Sequence, residues 1–322
     1  MLKRIHTMTR SVVLLFAAVA LFGCTSRSSN TPGSGNPTPG SPTSALPEPA
    51  TTGQFAAVAN AKLAYPVRVS SVAGTVYVSD AKSNQVLGIK DGVTTVVISG
   101  LDKPLGIAVA GDLLYVGNAG RKDVEVYSIS QQKYLRSLGG AGAFQMPNSI
   151  AVASDGTVVI ADSKANVVQV YSAAGAFVMT IGSKGSADGQ FNFPSAVAID
   201  DTRIVVADQG NHRIQIFDRA GKFVSSLGGE VTGGLSRDDY KGKFTRIAGI
   251  ALSGADILAL DSAHAYVQVL DSAGKCKGFL GSSGSCPTCM KLGTDVTVAA
   301  DGSVLVTDPE NGRFVSLSKE LR

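Results

Sequence analysis

Two stretches share one pattern: FQMPNSIAVASDGTVVIAD at residues 144–162 and FNFPSAVAIDDTRIVVAD at residues 191–208. Each has an aromatic residue three positions before a proline, then a short apolar run, a polar turn and β-branched residues that end in Asp. Alternation of apolar and polar residues at period two predicts a strand on each side of the turn. Because a proline at the start of a strand removes no ladder hydrogen bond, it marks where each first strand begins.

The second of these strands recurs along the chain as a short run with an Asp or Asn at its end: Asp80, Asn118, Asp162, Asp208, Asp261 and Asp308. Successive copies lie 38 to 53 residues apart. Repeats of this length, each with four short strands, are typical of a β-propeller. One such sheet cannot cover its own faces, so the units must stack around a ring. We therefore predict an all-β, six-bladed propeller of four-stranded blades over residues 54–322.

The segment DQGNHRI at residues 208–214 resembles the NHL repeat, and residues 144–162 and 191–208 match the first half of that repeat. The resemblance covers about residues 54–320 and is strongest in units three and four. It weakens in units five and six, where Ile247 and Gly293 stand in place of the proline. It implies a six-bladed propeller, the number of blades that the repeats also indicate.

The two ends of the repeat region predict how the ring closes. The sixth unit stops at Arg322 without a fourth strand, whereas QFAAV at residues 54–58 is a spare strand ahead of the first unit. An unpaired sheet edge invites association with other chains, and a closed ring removes it. We therefore expect the N-terminal strand to complete the last blade.

The N-terminus carries an export signal. A basic start precedes Val12–Phe22, an apolar run that is too short to span a bilayer core of roughly 30 Å. The following LFGC at residues 21–24 resembles a bacterial lipobox, in which the cysteine is acylated and becomes the mature N-terminus; Phe22 is bulkier than the usual residue. An ordinary signal with an accidental cysteine is the alternative. We predict a lipoprotein signal peptide over residues 1–23 and lipidation of Cys24.

Residues 24–53 are rich in Ser, Pro and Gly and hold six of the twelve prolines. Such a composition cannot bury enough apolar surface to fold, and it predicts a disordered tether. Thr25 follows the cysteine, which in enterobacterial lipoproteins implies sorting to the outer membrane. We expect a domain that is lipid-anchored in a bacterial cell envelope, at the outer membrane, on either its periplasmic or its surface side.

Charge argues against nucleic acid as a partner. Removal of Lys3, Arg4 and Arg10 with the signal leaves 26 Lys and Arg against 25 Asp and Glu. A nearly neutral domain has no overall field to gather phosphates.

Strand direction divides the loops into two sets. Loops from the second to the third strand, and from one blade to the next, share one face; they are long and varied, and long loops on a rigid scaffold carry function. The candidate ligand residues on this face are Arg121, Lys122, His212, Arg213, Arg237, Asp238, Asp239, Tyr240 and His264. Arg237–Tyr240 belongs to the longest insertion, which is either a solvated loop or a partner site.

The resemblance also brings an enzymatic alternative, because six-bladed relatives include metal-dependent lactonases and a peptide-amidating lyase with ligands on the central channel. Here His212 and His264 are the histidines beyond the signal, and a catalytic zinc wants three protein ligands. The axis positions are small except Arg68 and Asp295, which we interpret as a structural ion pair. The strand-end Asp and Asn residues are interpreted as turn caps rather than a metal ring. We expect no cofactor, metal or catalytic residue.

The cysteines other than Cys24 lie near the last blade. Cys286 and Cys289 form a CPTC motif for which we predict a local disulfide, while metal and redox roles stay open. Met290 follows where a haem motif needs His. Cys276 begins a fourth strand, too far along the chain from the pair for bridging, and is predicted to be free.

These patterns favour a membrane-tethered, non-catalytic binding or scaffold propeller that presents its loop-rich face to an envelope protein, peptide or glycan. The alternative is a metal-dependent lyase or lactonase-like hydrolase.

Overall fold

The computed structural model describes residues 52–55, 62–231, 237–284 and 286–317. The predicted signal peptide, Cys24 and the tether as far as residue 51 lie outside these residues. No helix in the described ranges is both long and apolar enough to cross a membrane. In these same ranges the regular structure consists of β-strands and three single-turn 3-10 helices.

The strands form six antiparallel sheets that are the blades of a propeller. The first three blades contain β1 (Gln54–Phe55), β2 (Pro66–Val72), β3 (Thr75–Asp80), β4 (Gln85–Lys90) and β5 (Val93–Ser99); β6 (Pro104–Ala110), β7 (Leu113–Asn118), β8 (Asp123–Ser128) and β9 (Lys133–Leu138); and β10 (Pro147–Val152), β11 (Val158–Asp162), β12 (Val167–Tyr171) and β13 (Phe177–Ile181). The other three contain β14 (Pro194–Ile199), β15 (Arg203–Asp208), β16 (Arg213–Asp218) and β17 (Phe223–Gly228); β18 (Ile247–Ser253), β19 (Asp256–Asp261), β20 (Tyr266–Leu270) and β21 (Cys276–Leu280); and β22 (Val296–Val298), β23 (Val304–Asp308) and β24 (Arg313–Leu317). The 3-10 helices are Gln209–Asn211, Arg237–Tyr240 and Pro309–Asn311.

The predicted fold is confirmed: the chain is all-β, with six blades in a propeller built on four antiparallel strands per blade. Within a blade each strand pairs with the next one along the chain, so that β14 pairs with β15, β15 with β16 and β16 with β17. Second strands are buried on both faces because neighbouring blades cover them; all of Val158–Asp162 is buried, for example. This explains why these strands are continuous runs of Val, Ile and Ala.

The loops between blades are anchored by one apolar residue three positions before the proline, or before the residue that stands in its place. Phe144, Phe191, Phe244 and Met290 hold this position and are at most 1% exposed. In the longer loops the anchor also forms an isolated parallel bridge with the start of its own loop, as between Lys184 and Phe191. The aromatic residue seen in the sequence pattern is therefore a wedge between adjacent blades.

The expected closure by the N-terminal strand is wrong for the residues that the structure describes. Gln54 and Phe55 pair with Ser99 and Ile98 on the outer edge of the first blade, and not with the last blade. Residues 56–58 of the predicted strand lie outside the described ranges. The last blade shows three strands there, with β24 paired to β23.

A short loop explains why the N-terminal segment lies beside the first blade. Only residues 100–103 separate β5 from β6, whereas residues 182–193 separate β13 from β14. The Gly53 amide donates to Glu125 of the second blade, and Phe55 packs edge-on against Tyr127 with ring centroids 6.1 Å apart. The segment thus fills the gap that a long loop fills elsewhere, and Gly53, assigned to the tether from composition, is buried.

Gly53→Val should destabilise the propeller. A Cβ at this position would lie 2.5 Å from the Tyr127 hydroxyl oxygen and 2.6 Å from Leu101 Cδ2, so the blades would have to separate. We expect a loss of about 1–3 kcal/mol in the free energy of unfolding, measured by urea denaturation. The exposed neighbour provides the control: Gln54→Ala should change it by less than about 0.5 kcal/mol. Equal stability of the two variants would contradict the packing of this segment.

Candidate functional site

The strand order gives the propeller two different faces. The loops between second and third strands and the loops between blades form one face, which we call the loop-rich face. The turns between first and second strands and between third and fourth strands form the other, the turn face. The loop between two blades is called the leading loop of the blade that it enters.

The strand-end carboxylates hold the leading loops in place. The two oxygens of Asp162 accept the backbone N–H groups of Gln145 at 2.7 Å and Met146 at 2.8 Å, in the leading loop of its own blade. Asp261 does the same for Thr245 and Arg246. Both carboxylates also accept an N–H from the turn after their own strand, the role predicted from the sequence. Each carboxylate therefore clamps two loops of one blade together.

The hub of the propeller is closed by one side chain. The guanidinium of Arg68 leaves the first blade and donates to four backbone carbonyls, one in each of the last four blades: Asn148, Ser195, Ala248 and Thr294, at 2.6–3.1 Å. It also pairs with the Asp295 carboxylate at 3.0 Å. The sequence predicted the ion pair, but not the reach of the guanidinium across the axis.

The partner of Arg68 is itself held from two sides. The other oxygen of Asp295 accepts the Val69 amide at 3.0 Å. Burial raises the pKa of Asp295, while the Arg68 guanidinium and the Val69 N–H oppose that rise. On the turn-face side of this pair the channel continues as a cavity of about 260 Å³, lined mainly by aliphatic side chains and backbone of the first strands.

A ring of six residues surrounds the closed hub on the loop-rich face. Each occupies the last position before the proline, or its equivalent, that begins the innermost strand. These residues, which we call the hub ring, are Tyr65, Lys103, Met146, Phe193, Arg246 and Leu292. Tyr65 is 39% and Phe193 38% exposed, which is high for large apolar side chains. Lys103 and Arg246 are also exposed, so the ring mixes aromatic and basic groups.

Two hub-ring residues are held in an unfavourable backbone conformation. Phe193 has φ +56° and Lys103 has φ +50°, in the left-handed region that bulky residues rarely adopt. The Phe193 amide donates to the Asn166 side chain at 2.8 Å, and the Lys103 amide donates to Asn84 at 2.9 Å. Each asparagine belongs to the preceding blade. The neighbouring blade thus fixes the conformation that presents these side chains, and such strain concentrates at functional sites.

Several of the predicted ligand residues serve the scaffold. Arg213 pairs with the strand-end Asp208 at 2.8 Å and also donates to the Ala187 and Gln190 carbonyls of its leading loop. Arg121 pairs with the buried Glu125 at 2.7 Å. His212 Nδ1 lies 2.9 Å from the Thr245 carbonyl oxygen. Lys122, by contrast, is exposed.

The predicted Arg237–Tyr240 site folds back onto the fifth blade. The Arg237 guanidinium lies over the rings of Tyr266 and Phe279, 5.6 and 5.4 Å from their centroids. Tyr240 packs against the His264 ring at 4.3 Å. Asp238 pairs with Lys241, and Asp239 is exposed. This segment is an ordered cap on one blade, and the structure does not bring it to the other predicted residues around Lys122.

Exposed charge differs between the two faces. The described loop-rich face exposes eleven basic residues: Lys62, Lys82, Lys103, Lys122, Lys164, Lys184, Arg237, Lys241, Lys243, Arg246 and Lys291. It exposes five acidic residues: Asp188, Glu230, Asp238, Asp239 and Glu310. The described turn face exposes five lysines and five aspartates, so its exposed charges balance. A partner on the loop-rich face therefore meets mainly ammonium and guanidinium groups.

The cysteines are arranged as follows. Cys286 and Cys289 are joined in a disulfide in the leading loop of the last blade, and Cys276 is free and half-buried. Within the described ranges, no three His, Cys, Asp or Glu side chains lie close enough to share a metal ion.

Sequence reasoning missed the hub ring. Its signal was available, since Tyr65 and Phe193 are large apolar residues directly before a proline that starts an innermost strand. In every blade, that position precedes the innermost strand and therefore lies beside the axis.

Comparison with known proteins identifies the repeats. The sequence model of the NHL repeat matches residues 144–171 and 191–217, in the third and fourth blades. The chain thus carries NHL repeats in a six-bladed β-propeller. A search of curated protein sequences finds no match.

Solved structures show the same fold at low identity. Hydrazine synthase of Kuenenia stuttgartiensis aligns with a TM-score of 0.58 and 15% identity, over 82% of this chain and 99% of that chain. A catalytically inactive virginiamycin B lyase from Staphylococcus aureus, solved with quinupristin, aligns with 0.56 and 12%, over 84% and 87%. A chain of a nidogen/laminin complex aligns with 0.54 and 16%, over 67% and 80%. These similarities show the fold alone.

Arg68→Met should destabilise the hub, because it removes the donors to four carbonyls and leaves Asp295 buried without its cation. We expect a loss of about 3–5 kcal/mol in the free energy of unfolding at pH 7, measured by urea denaturation. Without Arg68, desolvation raises the folded-state pKa of Asp295 further, so the folded state gains stability as the pH falls and the loss should shrink towards pH 4. Asp295→Asn in the same background should recover part of it. A loss below about 1 kcal/mol would contradict this role of Arg68.

Proposed function

We propose that the chain is a non-catalytic binding module of a bacterial cell envelope, tethered to the outer membrane through lipid on Cys24. Its loop-rich face takes an acidic segment of an envelope protein, peptide or glycan. The tether that composition predicts before the propeller would give that face reach away from the membrane.

The hub ring is the observation that carries this proposal. Tyr65 and Phe193 offer exposed aromatic area beside Lys103 and Arg246, and aromatic residues and arginine are enriched where interfaces bind most strongly. Beneath the hub ring, the Arg68 side chain closes the central channel. A partner can therefore cover the centre of the face without entering the channel.

The exposed basic groups select the chemistry of the partner. The strand-end carboxylates of this face are buried and occupied by N–H groups, so they offer no acceptor at the surface. They still cancel much of the positive field at long range. We therefore expect attraction at contact rather than strong long-range steering, and a moderate salt dependence of the affinity.

The enzymatic alternative, a metal-dependent lyase or lactonase-like hydrolase, rests on the axis. There the only carboxylate among the first-strand axis positions, Asp295, already binds Arg68 and the Val69 amide. A cation would have to displace a guanidinium that donates to four blades. Metal analysis of the purified protein distinguishes the two functions, because a stoichiometric metal lost in Asp295→Asn would favour the enzyme.

The double variant Phe193→Ala/Lys103→Glu should weaken binding of an acidic partner. With an Asp- and Glu-rich decapeptide and a uronic-acid oligosaccharide as probes, we expect the stronger complex to lose at least about tenfold in affinity, measured by calorimetry. A Lys-rich decapeptide should not bind either protein.

The matched control is Phe177→Ala/Lys133→Glu, which makes the same chemical changes at exposed positions of the outer strands. Its affinity should stay within about twofold of that of the unchanged chain. Equal losses in the two double variants, or no binding of either acidic probe, would refute the proposed site.

A further inference from the structure

The leading loop of the last blade has a counterpart that lacks its cysteines. Residues 282–291, the cysteine loop, contain Cys286 and Cys289; residues 183–192, the sister loop, contain Ala187 and Gln190 at the same two positions and lead into the fourth blade. A glycine with positive φ precedes each loop, Gly281 at +78° and Gly182 at +81°.

Residue 285 of the cysteine loop lies outside the described residues; among the others, the two loops share their backbone hydrogen bonds one by one. Gly284 N donates to Met290 O at 3.0 Å as Gly185 N donates to Phe191 O at 2.9 Å. The turn closed from Cys289 N to Cys286 O, at 3.0 Å, is matched by one of the same length in the sister loop.

The arginine contacts of the two loops also correspond. The Arg313 guanidinium donates to the carbonyls of Cys286 and Cys289 at 3.0 and 2.9 Å. Arg213 donates to the two equivalent carbonyls of the sister loop at 2.7 and 3.0 Å. The loops differ within the turn, where Gly189 has φ +78° and the cysteine loop has Thr288.

The sister loop therefore holds this conformation without a disulfide. Hydrogen bonds to Arg313, the Gly284–Met290 pair and the buried Met290 side chain, which has no exposed surface, hold the cysteine loop in the same way. A covalent bond added to a loop that is already fixed is not required for its shape. The cysteine pair is free to exchange electrons without unfolding the loop.

The two sulfurs differ in access and in their neighbours. Cys286 is exposed, whereas Cys289 is 8% exposed. The Ser282 hydroxyl lies 3.4 Å from Cys289 Sγ, and the Thr288 hydroxyl lies 3.7 Å from Cys286 Sγ. Both hydroxyls can donate to a thiolate, and the Arg313 guanidinium adds positive charge beside the loop. Such surroundings favour the thiolate form on which thiol–disulfide exchange depends.

We propose that Cys286 and Cys289 are a redox-active pair that exchanges disulfides with dithiol proteins of an oxidising compartment. A thiolate of the client attacks Cys286 Sγ, the Cys286–Cys289 bond breaks, and Cys289 leaves as a thiolate beside Ser282. The second client thiolate then attacks the client sulfur of the mixed disulfide and releases Cys286.

The electrons and protons balance over the cycle. The client loses two electrons and two protons and gains a disulfide, and the chain holds them as two thiols. A second disulfide, of a protein oxidant or of glutathione, takes them up by the same two exchanges and restores the Cys286–Cys289 bond.

Single-cysteine variants of the full chain test the assignment. We expect Cys289→Ser to accumulate a mixed disulfide at Cys286 with glutathione disulfide, at least about tenfold faster than Cys286→Ser does at Cys289, because access differs. The adducts are located by peptide mass mapping after acid quenching, because the free Cys276 can also form one. In the unchanged chain, glutathione should reduce the pair reversibly without denaturant, and the chain should oxidise a reduced dithiol peptide at least about tenfold faster than Cys286→Ser does.

The sister loop supplies a matched control. Ala187→Cys/Gln190→Cys in a chain with Cys286→Ser/Cys289→Ser places a pair on the same backbone, but beside Asp188 and without the Thr288 hydroxyl. We expect this pair to oxidise the peptide at least about fivefold more slowly, since the Asp188 carboxylate opposes a thiolate. The thermal midpoint of each variant checks that the propeller stays folded.

Each contrary result overturns the proposal. Reduction that requires denaturant would make the bond structural. Equal adduct rates at Cys286 and Cys289, peptide oxidation no faster than in Cys286→Ser, or equal rates for the native and sister pairs would show that this loop has no dedicated exchange site.

Discussion

The clamp between a strand-end carboxylate and its leading loop is the interaction on which this propeller depends. Asp162 and Asp261 each fix two consecutive amides just before the innermost strand, so the position of that strand relative to the blade is set by hydrogen bonds rather than by packing alone. Charge-assisted bonds of this kind are the stronger ones in proteins. Strand order puts the leading loops on one face, and the clamps bury the strand-end carboxylates of that face. Basic residues therefore outnumber acidic ones among its exposed charges.

The hub breaks the symmetry that the clamps create. Six repeats would place equivalent residues around the axis, yet one Arg68 spans it and binds carbonyls of four other blades. A single long donor suits this place because unpaired carbonyls at the centre would be costly to bury. The Arg68 side chain also separates two environments: a cavity lined by the backbone and side chains of the first strands towards the turn face, and the hub ring with Phe193 and Tyr65 towards the loop-rich face.

The sequence predicted what repeats and failed where the chain ends. The runs ending in Asp80 to Asp308 carried the number of blades, the strand order and the two faces, because each is enforced by a local pattern six times. The partner of Gln54 and Phe55 was predicted wrongly because the outer edge of the first blade accepts a spare strand as well as the incomplete last blade would. The N-terminal segment packs beside the first blade because the loop at residues 100–103 is short. That shortness is evident only when this loop is compared with the other loops between blades. Arg213 and His212 were predicted as ligand residues because the sequence cannot distinguish a polar side chain that binds a loop of the propeller itself from one that binds a partner.

Repetition also indicates where function can be added. The sister loop and the cysteine loop keep the same hydrogen bonds although Gln190 in one corresponds to Cys289 in the other. Leading loops likewise keep their clamps whether Phe193 or Leu292 stands in the hub ring. Side chains at these positions contribute little to the clamps, so they can vary with little cost to the fold. An unusual residue there, such as an exposed phenylalanine at positive φ or a cysteine pair on an already fixed turn, is not explained by the stability of the repeat. It therefore supports the proposed binding at the hub ring and the proposed disulfide exchange in the cysteine loop.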